Sequence, residues 1–155
     1  MTTDTNTDLP ESLREIVEDF AETGPDERLE LLLEFSSELP ALPERYAEHP
    51  ELLEPVPECQ SPIFLVTEVD DPEQGPQATV HLHFSAPPEA PTTRGFAGIL
   101  REGLDGLSAE AVLSVPADLP LRLSLTQAVS PLRLRGMSGM LSRIQRQVSE
   151  RIGRI

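Results

Sequence analysis

The 155-residue chain has one cysteine, Cys59, and no lysine, and nowhere does an apolar run approach the ~20 residues of a membrane-spanning helix. A lone thiol excludes an intramolecular disulfide. It also excludes the three- and four-thiolate sites that hold structural zinc or an iron–sulfur cluster. Neither staple is needed, since a chain this long can bury roughly two thirds of the surface its unfolded form exposes. Sparse cysteine fits a reducing compartment. Residues 1–8 are polar and acidic, without a basic region or an apolar signal core. Together these absences predict a cytoplasmic protein with no membrane partner.

Basic charge is scarce as well. The formal net charge is −15 at pH 7, which argues against nucleic acid as a partner, because phosphate contacts need a basic surface. The imbalance is uneven. Residues 1–58 carry 17 acids and 3 arginines, whereas residues 122–155 carry 7 arginines and one acid, Glu150. That pattern fits first a solvated acidic face balanced by a basic helix, and second two halves that steer a protein partner.

Several chemistries lack their residues. There is no GxxxxGK[ST] or GxGxxG phosphate loop and no GxSxG elbow. His81 and His83 alternate on one strand face, yet no cysteine stands near them in sequence to complete a metal site. They read as solvated strand residues.

What is present gives an α+β pattern. Leu9, Leu13, Ile16, Val17 and Phe20 recur at helical spacing behind Asp8, a candidate N-cap, and Pro10. Gly24-Pro25 ends that helix. A second amphipathic helix is predicted from about Asp26 to Glu38, with Leu29, Leu32, Leu33 and Phe35 as its apolar residues. Five prolines between Pro40 and Pro57 predict a surface loop with one helical turn near Glu44–Glu48. Ile63–Val69 and Ala78–Ser85 read as strands paired in an antiparallel hairpin, the second alternating Val80, Leu82 and Phe84 with polar residues. Thr92 or Thr93 would cap a helix that Gly103 and Gly106 end. Ser108 would cap a short helix through Leu113. Pro116–Leu125 reads as another short helical piece. Ser130-Pro131 opens the last helix, whose stripe is Met137, Met140, Leu141, Ile144, Val148 and Ile152. The expected architecture is a small antiparallel β-sheet packed against N-terminal and C-terminal helices.

Cys59 is the residue with chemical potential. Cysteine is often a buried filler. Cys59, however, lies at a loop-to-strand junction outside any apolar stripe, flanked by Glu58, Gln60 and Ser61. Pro57 and Pro62 stiffen the backbone on either side. An unperturbed thiol of pKa ~8.5 is about 3% thiolate at pH 7, and Glu58 disfavours the thiolate further. Activation must therefore come from the fold or from a partner, with Arg94 and Arg133 as candidate arginines facing the loop.

Val56-Pro57-Glu58-Cys59-Gln60-Ser61-Pro62-Ile63-Phe64 resembles the sulfur-acceptor loop of the SufE family of cysteine desulfuration proteins. Leu125-Thr126-Gln127-Ala128-Val129-Ser130-Pro131-Leu132-Arg133-Leu134-Arg135-Gly136-Met137 resembles that family's late segment. Weaker matches at Leu39-Pro40-Ala41-Leu42, Arg94-Gly95 and Gly103-Leu104-Asp105-Gly106 follow the family's order. Three positions depart from the pattern. Glu58 stands where the family has glycine, Phe64 where it has tryptophan, and Ala128 where it has histidine.

The resemblance implies a SufE/IscU-like fold in a single domain over residues 9–155, behind a disordered tail at 1–8. It implies that Cys59 accepts sulfur from the persulfide of a PLP-dependent cysteine desulfurase (SufS-like), stimulates that enzyme, and delivers the sulfur to an iron–sulfur scaffold complex (SufBCD-like). The pyridoxal phosphate belongs to the desulfurase, so no cofactor is expected on this chain. Gln60, Ser61, Arg94 and Arg133 are implied as partner-binding residues, Arg133 through docking. Two other readings stay open: a carrier for another acceptor pathway, and a non-catalytic acidic adaptor with an incidental cysteine. An iron–sulfur scaffold on the same fold is disfavoured by the single thiol.

Overall fold

The computed structural model describes residues 7–153. Most of the predicted tail, residues 1–6, lies outside them.

Among the described residues, six α-helices pack around a three-stranded antiparallel sheet of order β1-β2-β3. The helices are α1 (Glu11–Glu22), α2 (Arg28–Glu38), α3 (Glu44–Ala47), α4 (Pro91–Leu104), α5 (Ala109–Leu113) and α6 (Pro131–Arg151). The strands are β1 (Glu54–Pro55), β2 (Phe64–Asp70) and β3 (Thr79–Ser85). The expected α+β class and the β2–β3 hairpin are both present. Among the described residues no helix is long and apolar enough to cross a membrane.

The helical periodicities translate into burial. Leu13, Ile16, Val17 and Phe20 of α1 are buried, as are Met137, Met140, Leu141, Ile144 and Val148 of α6. Ser130 caps α6, its hydroxyl accepting from the Arg133 amide, with Pro131 in the first turn. Ser108 caps α5 through the Ala111 amide. Two predicted caps differ. Pro10 rather than Asp8 stands at the N-cap of α1, because the Asp8 carboxylate pairs with Arg122 at 2.8 Å. The α4 cap position is Ala90, and Thr93 is buried inside the helix.

In α2 only Leu32 and Ser36 are buried, while Leu29 and Leu33 face solvent. The reason is how closely α2 meets α4. A Cβ on Gly95 would lie 2.6 Å from the Leu32 carbonyl oxygen. The contact is therefore backbone against backbone along a narrow line, not a broad leucine stripe.

The register pairs Leu65 with Phe84, Thr67 with Leu82 and Val69 with Val80 on the inner face, where Leu65, Thr67, Val80, Leu82 and Phe84 are buried. Phe64, Val66, Glu68 and Asp70 share the outer face with Ser85, His83, His81 and Thr79. Tyr46 of α3 covers part of that face in a small cluster with Leu53 and Val66. His81 bonds Asp70 at 2.8 Å and His83 bonds Glu68 at 2.9 Å. Both lie on the outward face as expected, each partnered by a carboxylate.

Strand β1 departs from the sequence expectation, because Pro55 and its proline-rich surroundings argue against a strand. It is two residues long and pairs Glu54 with Leu65 and Pro55 with Phe64. An edge strand this short leaves the rest of the β2 edge without a strand partner among the described residues. Helix α6 completes it: the Thr67 amide donates to the Gln147 side chain at 2.7 Å, and Arg151 donates to the Thr67 carbonyl. These bonds fix α6 along β2, and so fix what α6 presents to the β1–β2 connection.

Candidate functional site

Cys59 sits in that connection. The Val56 amide donates to the Ile63 carbonyl at 2.9 Å and closes the stem of the loop. Pro57–Cys59 then forms one tight 3-10 turn, consistent with a proline that fixes φ at its start. Gln60 follows with φ 58°, a left-handed conformation uncommon for any residue with a Cβ. The backbone thus reverses directly after the thiol. Between Pro57 and Pro62 the junction is a closed turn.

The turn rests on the start of α6. A Cβ on Gly136 would lie 3.0 Å from the Cys59 sulfur and 3.1 Å from its Cα. One on Gly139 would lie 2.9 Å from the Glu58 carboxyl carbon. The two glycines, one helical turn apart, form the seat for Glu58 and Cys59. The thiol lies 3.5 Å from the Gly136 carbonyl, to which it donates weakly. Cys59 is half-buried against the main core.

Burial is the first cause that pushes the Cys59 thiol up, to about 12, and the Glu58 charge adds to it while Arg143 opposes. The seated sulfur is therefore neutral at physiological pH. That extends the expectation that the loop does not activate its own cysteine.

The Glu58 carboxyl is turned onto α6, with 36% of the side chain still exposed. Its carboxylate pairs with Arg143 at 2.8 Å, which holds the Glu58 pKa below the usual carboxylate range. The Arg143 Nε lies 3.2 Å from Glu54 on β1, and its Nη1 also donates to the Gly139 carbonyl at 3.3 Å. Glu54 in turn accepts from Gln147 at 2.9 Å and pairs with Arg146. Arg143 and Arg146 of the last helix thus pair with Glu54 and Glu58 of the acidic half of the chain.

On its other side the thiol borders an open hollow of about 350 Å³ lined by Cys59, Gln60, Ser61, Ser130, Leu132 and Arg133. Gln60 and Arg133 are exposed. Leu132 is exposed too, an apolar side chain beside the sulfur. The structure therefore brings Cys59, Gln60, Ser61 and Arg133 together. Arg133 lies in the first turn of α6, where the positive end of the helix adds to its own charge.

Arg94 does not join them. Its guanidinium donates to the carbonyls of Ser36 (2.9 Å), Ala86 (2.6 Å) and Leu39 (3.2 Å), tying the ends of α2 and β3 to α4. The expectation that Arg94 faces the cysteine loop is corrected: its donors are spent on backbone oxygens elsewhere. The matched segments at Arg94-Gly95 and Leu39–Leu42 meet through this bond, as parts of the scaffold.

Sequence reading misses Arg143, Glu54 and Gly139. One signal was available. Two glycines inside a 21-residue helix weaken it unless another chain segment packs against them. Among the described residues no group of three or more His, Cys, Asp or Glu is placed to hold a metal ion.

Comparison with known proteins agrees with this fold. The SufE family model, described as an Fe-S metabolism associated domain, matches residues 14–148. SufE-like proteins from two Mycobacterium tuberculosis strains are 56% identical over 142 residues, covering 92% of this chain and 94% of theirs. The chloroplastic/mitochondrial SufE-like protein 1 of Arabidopsis thaliana is 26% identical over 141 residues, covering 90% of this chain and 35% of that protein. The solution structure of a hypothetical protein from Thermus thermophilus superposes with a TM-score of 0.80 at 38% identity, over 94% of this chain and 98% of that one.

Proposed function

The chain belongs to the SufE family, and on that footing we propose that Cys59 takes sulfur from a PLP-dependent cysteine desulfurase and passes it to iron–sulfur cluster assembly. The observation that carries the proposal is the placing of the chain's one thiol. It is seated neutral on one side against Gly136, and open on the other to a hollow bordered by Gln60, Ser61, Leu132 and Arg133.

The step is a thiol exchange. The Cys59 thiolate attacks the outer sulfur of the persulfide carried by the desulfurase. A new S–S bond forms on Cys59, the old one breaks, and its electron pair leaves on the desulfurase thiolate. The proton lost by Cys59 balances the one that thiolate can take up, and no net oxidation occurs. Arg133 and the positive end of α6 border the place where the negative sulfur develops, so they favour it once the thiol leaves its seat. Gln60 and Ser61 supply hydrogen-bonding groups on the loop beside the donor. At rest, burial protects the thiol from oxidation, which follows thiolate character and exposure. Delivery to a scaffold complex repeats the exchange with the acceptor thiol as attacker.

The test is intact mass without reductant after incubation with a cysteine desulfurase and free cysteine. Gain of one sulfur atom is expected, reversed by reductant and absent in Cys59→Ser. Failure to gain sulfur from any desulfurase of the same organism overturns the reading.

A further inference from the structure

Arg143 grips the cysteine turn from the helix below it. It reaches two carboxylates at once, Glu58 in the turn at 2.8 Å and Glu54 on β1 at 3.2 Å. Its Nη1 also donates to Gly139, the glycine against which Glu58 lies. The guanidinium is mostly covered, with 21% of its side chain exposed. The other charged group on this network is Arg146, bound to Glu54 and Glu150. Across the thiol, on the hollow side, stands Arg133, exposed at the start of α6. The turn is thus tied down on one side and open on the other, and its exit residue Gln60 is held at positive φ.

We propose that Arg143 is a positioning residue for Cys59: by bridging Glu58 and Glu54 it clamps the thiol-bearing turn onto the glycines of α6, and loosening of this bridge governs how often the sulfur becomes reachable. The proposal rests on the reading of Cys59 as the sulfur acceptor, and it deepens that reading by naming what controls presentation of the thiol. A clamp made of ion pairs suits the task. Part-exposed pairs are individually weak and weaken further with salt, so a docking surface that competes for Arg143 or for Glu58 can open them without unfolding the domain.

Position and charge can be told apart by sign. If Arg143 acted on Cys59 only as a nearby cation, its removal would make the thiolate rarer and the cysteine slower to react. If it clamps the turn, its removal exposes the sulfur and the cysteine reacts faster, because reaction follows the population of the open state. The experiment is the rate of Cys59 alkylation by iodoacetamide in the isolated protein across pH 7–9, with no desulfurase present. Arg143→Gln and Glu58→Gln are both expected to speed alkylation by roughly one-and-a-half- to fivefold, the range for loss of a part-exposed ion pair. Arg143→Lys should fall between them and the wild type, since an ammonium cannot span both carboxylates. Glu54→Gln, which leaves the turn's own charges intact, should also react faster. A rate for Arg143→Gln at or below wild type overturns the proposal. Should that variant fail to fold, as read by circular dichroism, a wild-type rate for Glu54→Gln overturns it. Because no sulfur donor is used, failure here is separate from failure of the persulfide assay.

Discussion

A methyl group on Gly136 would sit 3.0 Å from the sulfur of Cys59, 77 positions earlier in the chain. The only thiol of the protein is therefore positioned by an absence of side chain on α6. Gly136→Ala should lift the turn by a few tenths of an ångström, since the Cys59 Cα at 3.1 Å must move too. Overpacking of this kind costs about 1–3 kcal/mol, offset in part by the better helix propensity of alanine. The expected outcome is a lower urea midpoint together with faster alkylation of Cys59. Unchanged alkylation would mean that the seat does not control access.

The neutral state of the seated thiol makes its own prediction. Folding raises the Cys59 pKa from an ordinary value of 9.0 to about 12. The alkylation rate of the native protein should keep climbing about tenfold per pH unit past the pH at which an ordinary thiol levels off. In urea the same cysteine should level off near its ordinary value. The linkage sign follows. Stability from seating the protonated thiol is fully present below pH 9.0 and is lost as pH rises toward about 12. A plateau near pH 9 in the folded protein would refute the seated neutral thiol.

Periodicity makes most of the scaffold readable. The stripes of α1 and α6 and the Ser108 and Ser130 caps are local patterns, and local patterns survive folding. The failures share a different cause. Strand β1 is two residues long and contains Pro55, so its identity comes from pairing with β2 and not from its own residues. Leu29 and Leu33 look like core in the sequence because hydrophobicity does not report how closely two backbones cross. At the site, Cys59, Gln60, Ser61 and Arg133 carry legible signals. Which arginine meets Glu58 does not, because the two partners are 85 positions apart and meet only when α6 is laid along the β2 edge by Gln147 and Arg151.

Arg94 and Arg133 should separate cleanly. Arg94 donates to three carbonyls, so Arg94→Ala leaves part-buried acceptors unpaired and should cost about 2 kcal/mol or more. Its folded fraction should still accept sulfur at the wild-type rate. Arg133 is exposed at the hollow, so Arg133→Ala should change stability by less than about 0.5 kcal/mol. Its effect should appear instead as weaker stimulation of the desulfurase. Thermal melts paired with desulfurase assays of both variants check this. Equal stimulation by Arg133→Ala and wild type would remove Arg133 from the docking face.

The outer face of the sheet predicts an acid response that does not involve the thiol. Burial works against the charge of Glu68, yet hydrogen bonds from Tyr46 (2.5 Å), Arg45 (2.8 Å) and His83 (2.9 Å) prevail. They hold its carboxyl at about 2, below the ordinary 4.5. Above pH 4.5 the group is ionised in both states and the native contacts contribute in full. As pH falls through 4.5 the unfolded chain takes up its proton first, so stability drops, and the contribution is gone by about pH 2. Because the network is part exposed, its share should be about 1–2 kcal/mol, less than the whole shift would imply. Glu68→Gln should be less stable at pH 7 by that amount, and the gap from wild type should close between pH 4.5 and 2. Urea titrations at several pH values measure it directly. A gap that stays constant to pH 2 would show that Glu68 stabilises the α3 contact by shape and not by charge.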